Sequence, residues 1–339
     1  MDITGFFSKG TDLWIRKWRL IMTGSGGKTF ILQSESEGRD FRCSFQTQAR
    51  DGAAPETAII TIYNLSDSTM KGLVKEFDQV ILEAGYDKGR YGIIFNGIVK
   101  QYSRGHEENM TESYFRIFAA HSETTFRFGT VNNTQPAGSS TDDRAKANQK
   151  DLSYKGVPLG QQDISKTPGK LYRGAVAWGV GVDAMSEEAT HANMVWSIQD
   201  GKMILLNSDS YLQGQVIDLN AGTGLIGHPE VTDNGISVTS LLNPAVRVRG
   251  LVKLNNDSIN WTGAPGGGSL VYWPTTSFNI FDMLSNDGLY IILVRTHEGD
   301  TRGNPWYTHM TCVARAPDKQ TAFGGSQFGG SDERSARLP

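Results

Sequence analysis

Short runs that alternate between apolar and polar residues, each closed by turn-forming residues, do most to narrow the folds open to this chain. The clearest is DFRCSFQTQ, residues 40–48. Phe41, Cys43, Phe45 and Thr47 point to one side of an extended backbone, and Arg42, Ser44, Gln46 and Gln48 to the other. That period of two specifies a strand in a sheet with one buried and one wet face. AIITIY (58–63), QVILEAGY (79–86), YGIIFNGIV (91–99) and SYFRIFAA (113–120) continue the series. A second series runs through ISVTSLL (236–242), VRVRGLVKL (246–254), SLVYW (269–273), LYIILVR (289–295) and WYTHMTCVAR (306–315). Asn243-Pro244 ends the first of these, because proline brings no N–H to the ladder. The 39 glycines exceed the usual share of about 7% and suit many turns. Turn-separated strands of this kind form antiparallel barrels or sandwiches.

Other segments break the pattern. Ser66 is placed to cap a short helix whose Met70, Leu73, Val74 and Phe77 recur at helical spacing; this helix is expected to plug one end of a barrel. Gly97, inside a strand, points to a bulge or a sharp bend. Residues 129–170 include VNNTQPAGSSTDDRAKANQK, polar and turn-rich, which reads as a long excursion or linker. A helical stretch is expected over 175–192. VWSIQ and KMILL then flank Asp200-Gly201, a pair suited to the positive φ angles of a type I′ hairpin.

The resulting expectation is a mainly β chain with some α: a first β-barrel domain over 1–128, a small α/β middle domain over 129–213 and a second β-barrel domain over 214–315. Residues 316–339 hold few large apolar side chains and carry FGGS at 323–326 and 328–331. They read as a flexible tail, with an extended partner-binding segment as the sharper option.

Charge and cysteine content exclude several functions. The formal net charge of −3 gives no overall basic field for nucleic acid, and the cluster Arg16, Lys17, Arg19 reads as a solvated face. Cys43 and Cys312 form no CxxC pair, so neither a zinc site nor a redox motif is expected. The start, MDITGFFSKGTDLWIRKW, is interrupted by charges and does not read as a signal peptide. No apolar run approaches the roughly 20 residues that span a bilayer. A soluble protein made in a cytoplasm is expected.

Three motifs imitate chemistry. VIDLNAGTGLIG (216–227) places GxGxxG at Gly222, Gly224 and Gly227 after the acidic Asp218. It resembles the first motif of S-adenosylmethionine methyltransferases, which would use Asp218, Gly222 and Gly224. That loop must lead into a helix, whereas here His228-Pro229 and a strand pattern follow, so a strand-connecting turn is the stronger expectation. GSGGKT (24–29) ends like a phosphate loop in Gly27, Lys28 and Thr29, but Met22 stands where the first glycine is required; a hairpin turn is expected. Glu188 and His191 form one ExxH, whereas di-iron bundles need two and further glutamates. His106, His121, His228, His297 and His309 show no ligand spacing, and no GxSxG elbow occurs. No catalytic, cofactor-binding or metal-binding residue is assigned.

Three segments in order resemble the baseplate hub proteins of contractile-tailed bacteriophages, including Mu-like hubs. The first, in the stretch that begins at Arg39, is DFRCSFQ, TAIITIYNLS, a short helix, VILEAGY and IIFNGIV (93–99). The second is WSIQDGKMILL, and the third is TGLIGHPEVTDNGISVTSLLNPAVRVRGLVKL (223–254). The resemblance covers most of 20–255. It implies two barrels built like tail-tube subunits and a homotrimeric ring. Such a ring matches a sixfold tube to a threefold spike, since one chain carrying two similar barrels converts the symmetry. It also implies a tail-tube or distal tail protein, a central spike and other baseplate proteins as partners. Genomic DNA would cross the channel unread, and the location would be the virion tail baseplate after synthesis in the host cytoplasm. A tailocin hub, a secretion-type injection hub or a non-contractile tail tip are the neighbouring alternatives. No lysozyme or peptidase domain is expected within these residues.

Overall fold

The computed structural model describes residues 12–24, 26–34, 41–107, 112–153, 157–163, 170–232, 235–259 and 287–315. Its first strands are β1 (Asp12–Thr23), β2 (Thr29–Gln33), β3 (Cys43–Arg50), β4 (Thr57–Tyr63), β5 (Gln79–Lys88), β6 (Tyr91–His106) and β7 (Ser113–Ala120), with helix α1 (Asp67–Glu76) between β4 and β5. Helix α2 (Glu123–Phe128), β8 (Thr130–Gln135), helix α3 (Thr141–Ser153), β9 (Leu159–Asp163), β10 (Ala175–Val180), helix α4 (Gly181–His191), β11 (Met194–Gln199) and β12 (Lys202–Asn207) follow. The chain then forms β13 (Ile217–Leu219), β14 (Leu225–Thr232), β15 (Gly235–Leu241), β16 (Leu251–Leu254), β17 (Leu289–Asp300) and β18 (Trp306–Ala314).

The architecture is mainly β with some α, as the alternation predicts. Both strand-rich regions join one 13-stranded sheet in the order β14-β15-β18-β17-β3-β4-β7-β6-β5-β1-β2, with β16 on β17 and β13 on β16. No pairing among the described residues closes this path into a barrel. The junction is β17 against β3, antiparallel from Val294↔Arg50 to Asp300↔Ser44. Arg42 closes one end of it by an ion pair to Asp300 at 3.0 Å. At the other end the Asp51 N–H donates to the Leu293 carbonyl at 2.8 Å. Burial opposes the charge on Asp300, but Arg42 and the N–H groups of Arg302 and Gly303 outweigh it and hold the carboxyl below its ordinary range. The core crosses the junction too. Trp306 packs edge-on against Phe45 at 5.3 Å and joins the cluster built from β1 and β3–β7.

On β3, Cys43, Phe45, Thr47 and Ala49 are buried in alternation. Phe41 precedes the strand and is 41% exposed, so it drops out of the expected face. Ser66 caps α1 by accepting the Thr69 N–H, and Met70 and Leu73 enter the core, whereas Val74 is exposed. Gly97 is not a bulge. The register shifts flank it, between Leu82 and Glu83 on β5 and between Val99 and Gln101 on β6. A Cβ at Gly97 would lie 2.6 Å from Phe95 Cζ and 2.7 Å from the Ala120 carbonyl oxygen, so close approach is what requires glycine there.

The expected linker over 129–170 is instead partly folded. Ser140 and Asp143 exchange hydrogen bonds at the start of α3, a capping box, and Ala145 and Leu152 are buried beside Asn148 and Gln149. The expected helix over 175–192 divides: its first six residues are strand β10, and only α4 is helical. β8 and β10 form a two-stranded ribbon whose inner face packs on α3 and α4, while α4 packs on β11. Helix α4 therefore lies between the ribbon and the sheet β11-β12-β9. Asp200 and Gly201, at φ 49° and 74°, make the expected turn between β11 and β12. VRVRGLVKL is strand only over β16, because its first half turns. Two pairs are parallel, β9 with β12 and β13 with β16. The expected strand at 269–273, the loop at 262–269 and the tail at 316–339 lie outside the described residues.

Candidate functional site

The glycine motif is a turn followed by a bulge. Asn220 Oδ1 accepts from the N–H groups of Gly222 and Thr223, at 2.9 and 3.1 Å, and Thr223 Oγ1 donates to the Asp218 carbonyl at 2.7 Å. The Gly222 and Thr223 N–H groups are thus already engaged within this Asx turn and do not face a bound cofactor. A strand follows, where a cofactor loop requires a helix. Gly227 (φ 68°) is not part of that turn: with Pro229 it lies in β14 where the register shifts between Ile226 and Glu230. Asp218, Gly222, Gly224 and Gly227 therefore build no methyltransferase loop.

Gly24, Gly27 and Lys28 close the hairpin between β1 and β2, with the Gly27 N–H donating to the Gly24 carbonyl at 3.0 Å. Lys28 reaches Glu76 rather than a phosphate cradle. Glu188 is taken by Arg144 on α3, and His191 on the same helix is exposed beside Glu187. Among the described residues no group of three metal-ligating side chains converges. Cys43 and Cys312 are unpaired and fully buried, and burial pushes both thiols well above the ordinary range, away from nucleophilic use.

A cleft of about 1090 Å³ lies between the β11–β12 hairpin and the large sheet. Two ion pairs lie in its lining, Arg295 with Glu56 and Arg247 with Asp200. Burial raises the Glu56 carboxyl above its ordinary value, against the pull of Arg295 and His121. His121 is hydrogen-bonded through Nδ1 to the Asn96 carbonyl and through Nε2 to the Gly201 N–H at 3.0 Å, which fixes the proton on Nδ1. Arg249, at φ 63° and 5% exposed, ties three segments together. Its guanidinium donates to Asp51 at 2.9 Å and to the Ser208 and Ser210 carbonyls at 2.6 and 3.1 Å, and its own N–H donates to the Ile292 carbonyl. This arrangement positions a domain. It presents no nucleophile beside a base.

The surfaces differ more than the interior. At one end of the sheet β14 carries a bulge, Pro229 and Glu230, devices that protect a strand edge. At the other end β2 reads TFILQ, without charge or proline, and exposes Ile31. On the ribbon, Val176, Trp178 and Val180 lie outward on β10 at 70%, 80% and 49% exposure. Exposed Thr134, Asn132 and Thr130 stand opposite them on β8. Adjacent apolar side chains of this kind mark a protein contact. Sequence patterning missed this ribbon and Arg249; the one available signal for the ribbon was a tryptophan in a six-residue run without charge. Among the described residues, no helix is long and apolar enough to cross a membrane.

The fold recurs in solved structures. A tail protein from Neisseria meningitidis MC58 matches with a TM-score of 0.51 at 8% identity, over 88% of this chain and 97% of that one. The 43 kDa tail protein of prophage MuSo2 from Shewanella oneidensis matches with a TM-score of 0.52 at 7% identity, over 88% and 98%. At such identities the likeness establishes fold. No curated protein sequence matches the chain. The family profile described as "Baseplate hub gp41" matches residues 58–262, more than half of the chain. The chain belongs to the baseplate hub gp41 family and is a structural component of a tail baseplate, not an enzyme.

Proposed function

We propose that three copies of this chain form a ring that joins a sixfold tail tube to a threefold spike and leaves a channel for DNA. Each copy contributes two strand-rich lobes, residues 1–128 and 214–315, so three copies present six. Residues 129–213 form the smaller domain beside them. The observation that carries this reading is the β3–β17 ladder. An adaptor of symmetry works only if its two lobes keep a fixed relation, and a continuous hydrogen-bonded sheet supplies that rigidity.

The unprotected β2 edge and the Trp178 face are assigned to contacts within the assembly, with the tube or distal tail protein, the spike and other baseplate proteins. DNA passes without sequence readout, in keeping with the net charge of −3 and the ion-paired lining of the main cleft. The chain is made in the host cytoplasm and ends in the tail baseplate of the virion. Electron microscopy of the chain mixed with tube and spike proteins tests this: a threefold ring touching both is expected. A chain that stays monomeric and bare under those conditions overturns it.

A further inference from the structure

At the β3–β17 junction buried polar side chains form a row across the strands, continued on β15 by Ser240 opposite Thr308. Thr47, His297 and Thr308 are register partners on β3, β17 and β18, and all three are 0% exposed. Partners in an antiparallel ladder share a face, with Cβ atoms about 5 Å apart. His297 Nδ1 is bonded to Thr308 Oγ1 at 2.9 Å, and that oxygen also accepts the Asn243 N–H at 3.0 Å. The other ring nitrogen, Nε2, has no partner, and neither has the Thr47 hydroxyl opposite it. On the same face, Phe45 and Ala49 on β3 and Trp306 and Met310 on β18 are uncharged neighbours, and Arg295 on β17 is the charged one.

We propose that this row makes the junction of the two lobes proton-sensitive: β3 and β17 stay paired while the His297 ring is neutral, and separate when it takes up a second proton. A charged ring donates from both nitrogens, and its Nε2–H would be buried without a partner in the paired ladder, which is costly. No carboxylate meets the ring. The charge acting on it is Arg295, two residues along β17 and of the same sign. Glu56 neutralises Arg295, and Glu298 alternates to the other face, where it meets His309 at 3.5 Å. Burial first, and Arg295 second, lower the ring's proton affinity well below the ordinary 6.5. The folded chain therefore binds fewer protons than the opened one between the ordinary value and the lower folded value. Stability is complete above that window and falls as pH drops through it. Asp300, also at the junction, titrates below the ordinary carboxylate range and acts only at lower pH.

Amide exchange across residues 44–50 and 294–300 of the full chain, measured from pH 7.5 to 5 and corrected for intrinsic rates, provides the test. The opening equilibrium is expected to rise about tenfold per pH unit below about 6.5 in the native protein. His297→Gln should remove that one-proton dependence, and Thr47→Val, which keeps the ring, should retain it. The ring signals of His297, followed by NMR in the native protein, give a readout that needs no variant. A native protein and His297→Gln with the same pH dependence would overturn the proposal. So would a ring that titrates near 6.5 while the junction amides stay protected.

Discussion

The chain makes two large internal joints, and they are built from opposite materials. Lobe meets lobe at β3–β17 through a backbone ladder and a shared apolar core that includes Phe45 and Trp306. The β11–β12 segment meets the large sheet through polar contacts: Arg249 on the Ser208 and Ser210 carbonyls, Arg247 on Asp200, and His121 on the Gly201 N–H. A ladder fixes register residue by residue and ignores salt. An ionic joint over an open cleft depends on a few partners, each of which can be removed singly.

The largest expected effect is on the apolar joint. Trp306 is buried, and its Nε1 donates to the Gly85 carbonyl at 3.2 Å. Trp306→Ala should lower unfolding stability by about 3–5 kcal/mol, read by urea denaturation. Next is the ionic joint. Arg249→Ala leaves Asp51 and two carbonyls without their donor, and a loss of about 3 kcal/mol is expected. Protease cleavage within residues 194–213 should accelerate more than cleavage in β3 or β17; uniform acceleration would erase the distinction between the joints. The smallest effect belongs to Arg247, whose pair with Asp200 is exposed. Arg247→Ala should cost less than about 1 kcal/mol, in a thermal melt whose difference from the native protein shrinks as salt is added.

The apolar joint was half legible in the sequence. Alternation in DFRCSFQTQ and LYIILVR marks both strands, yet nothing local records that segments about 250 residues apart in sequence pair (Arg42 and Asp300 are 258 apart). The middle domain was harder to read for a different reason. α3 buries Asn148 and Gln149, which find partners in Asn133 and the Val157 carbonyl, so its inner face lacks the apolar period that betrays a helix. β10 fails in the opposite direction. Its outer face carries Val176, Trp178 and Val180, so AVAWGV has no polar alternation to mark a strand. The glycine turn at 222–224 was legible because VTDNGISVTSLLNP after it reads as a turn and a strand, with no helical period. Arg249 was not, because its positive φ turns what reads as strand into a corner.

The seven residue pairs between β3 and β17 give the joint a mechanical direction. Tension applied along these strands loads the crossing hydrogen bonds together, in shear, and each carries a fraction of the force. Tension applied across them peels the ladder from one end, where Arg42 and Asp300 bear the load first. The protein is therefore stiff along one axis and breakable along another, and the way it is gripped decides which property a pull would meet.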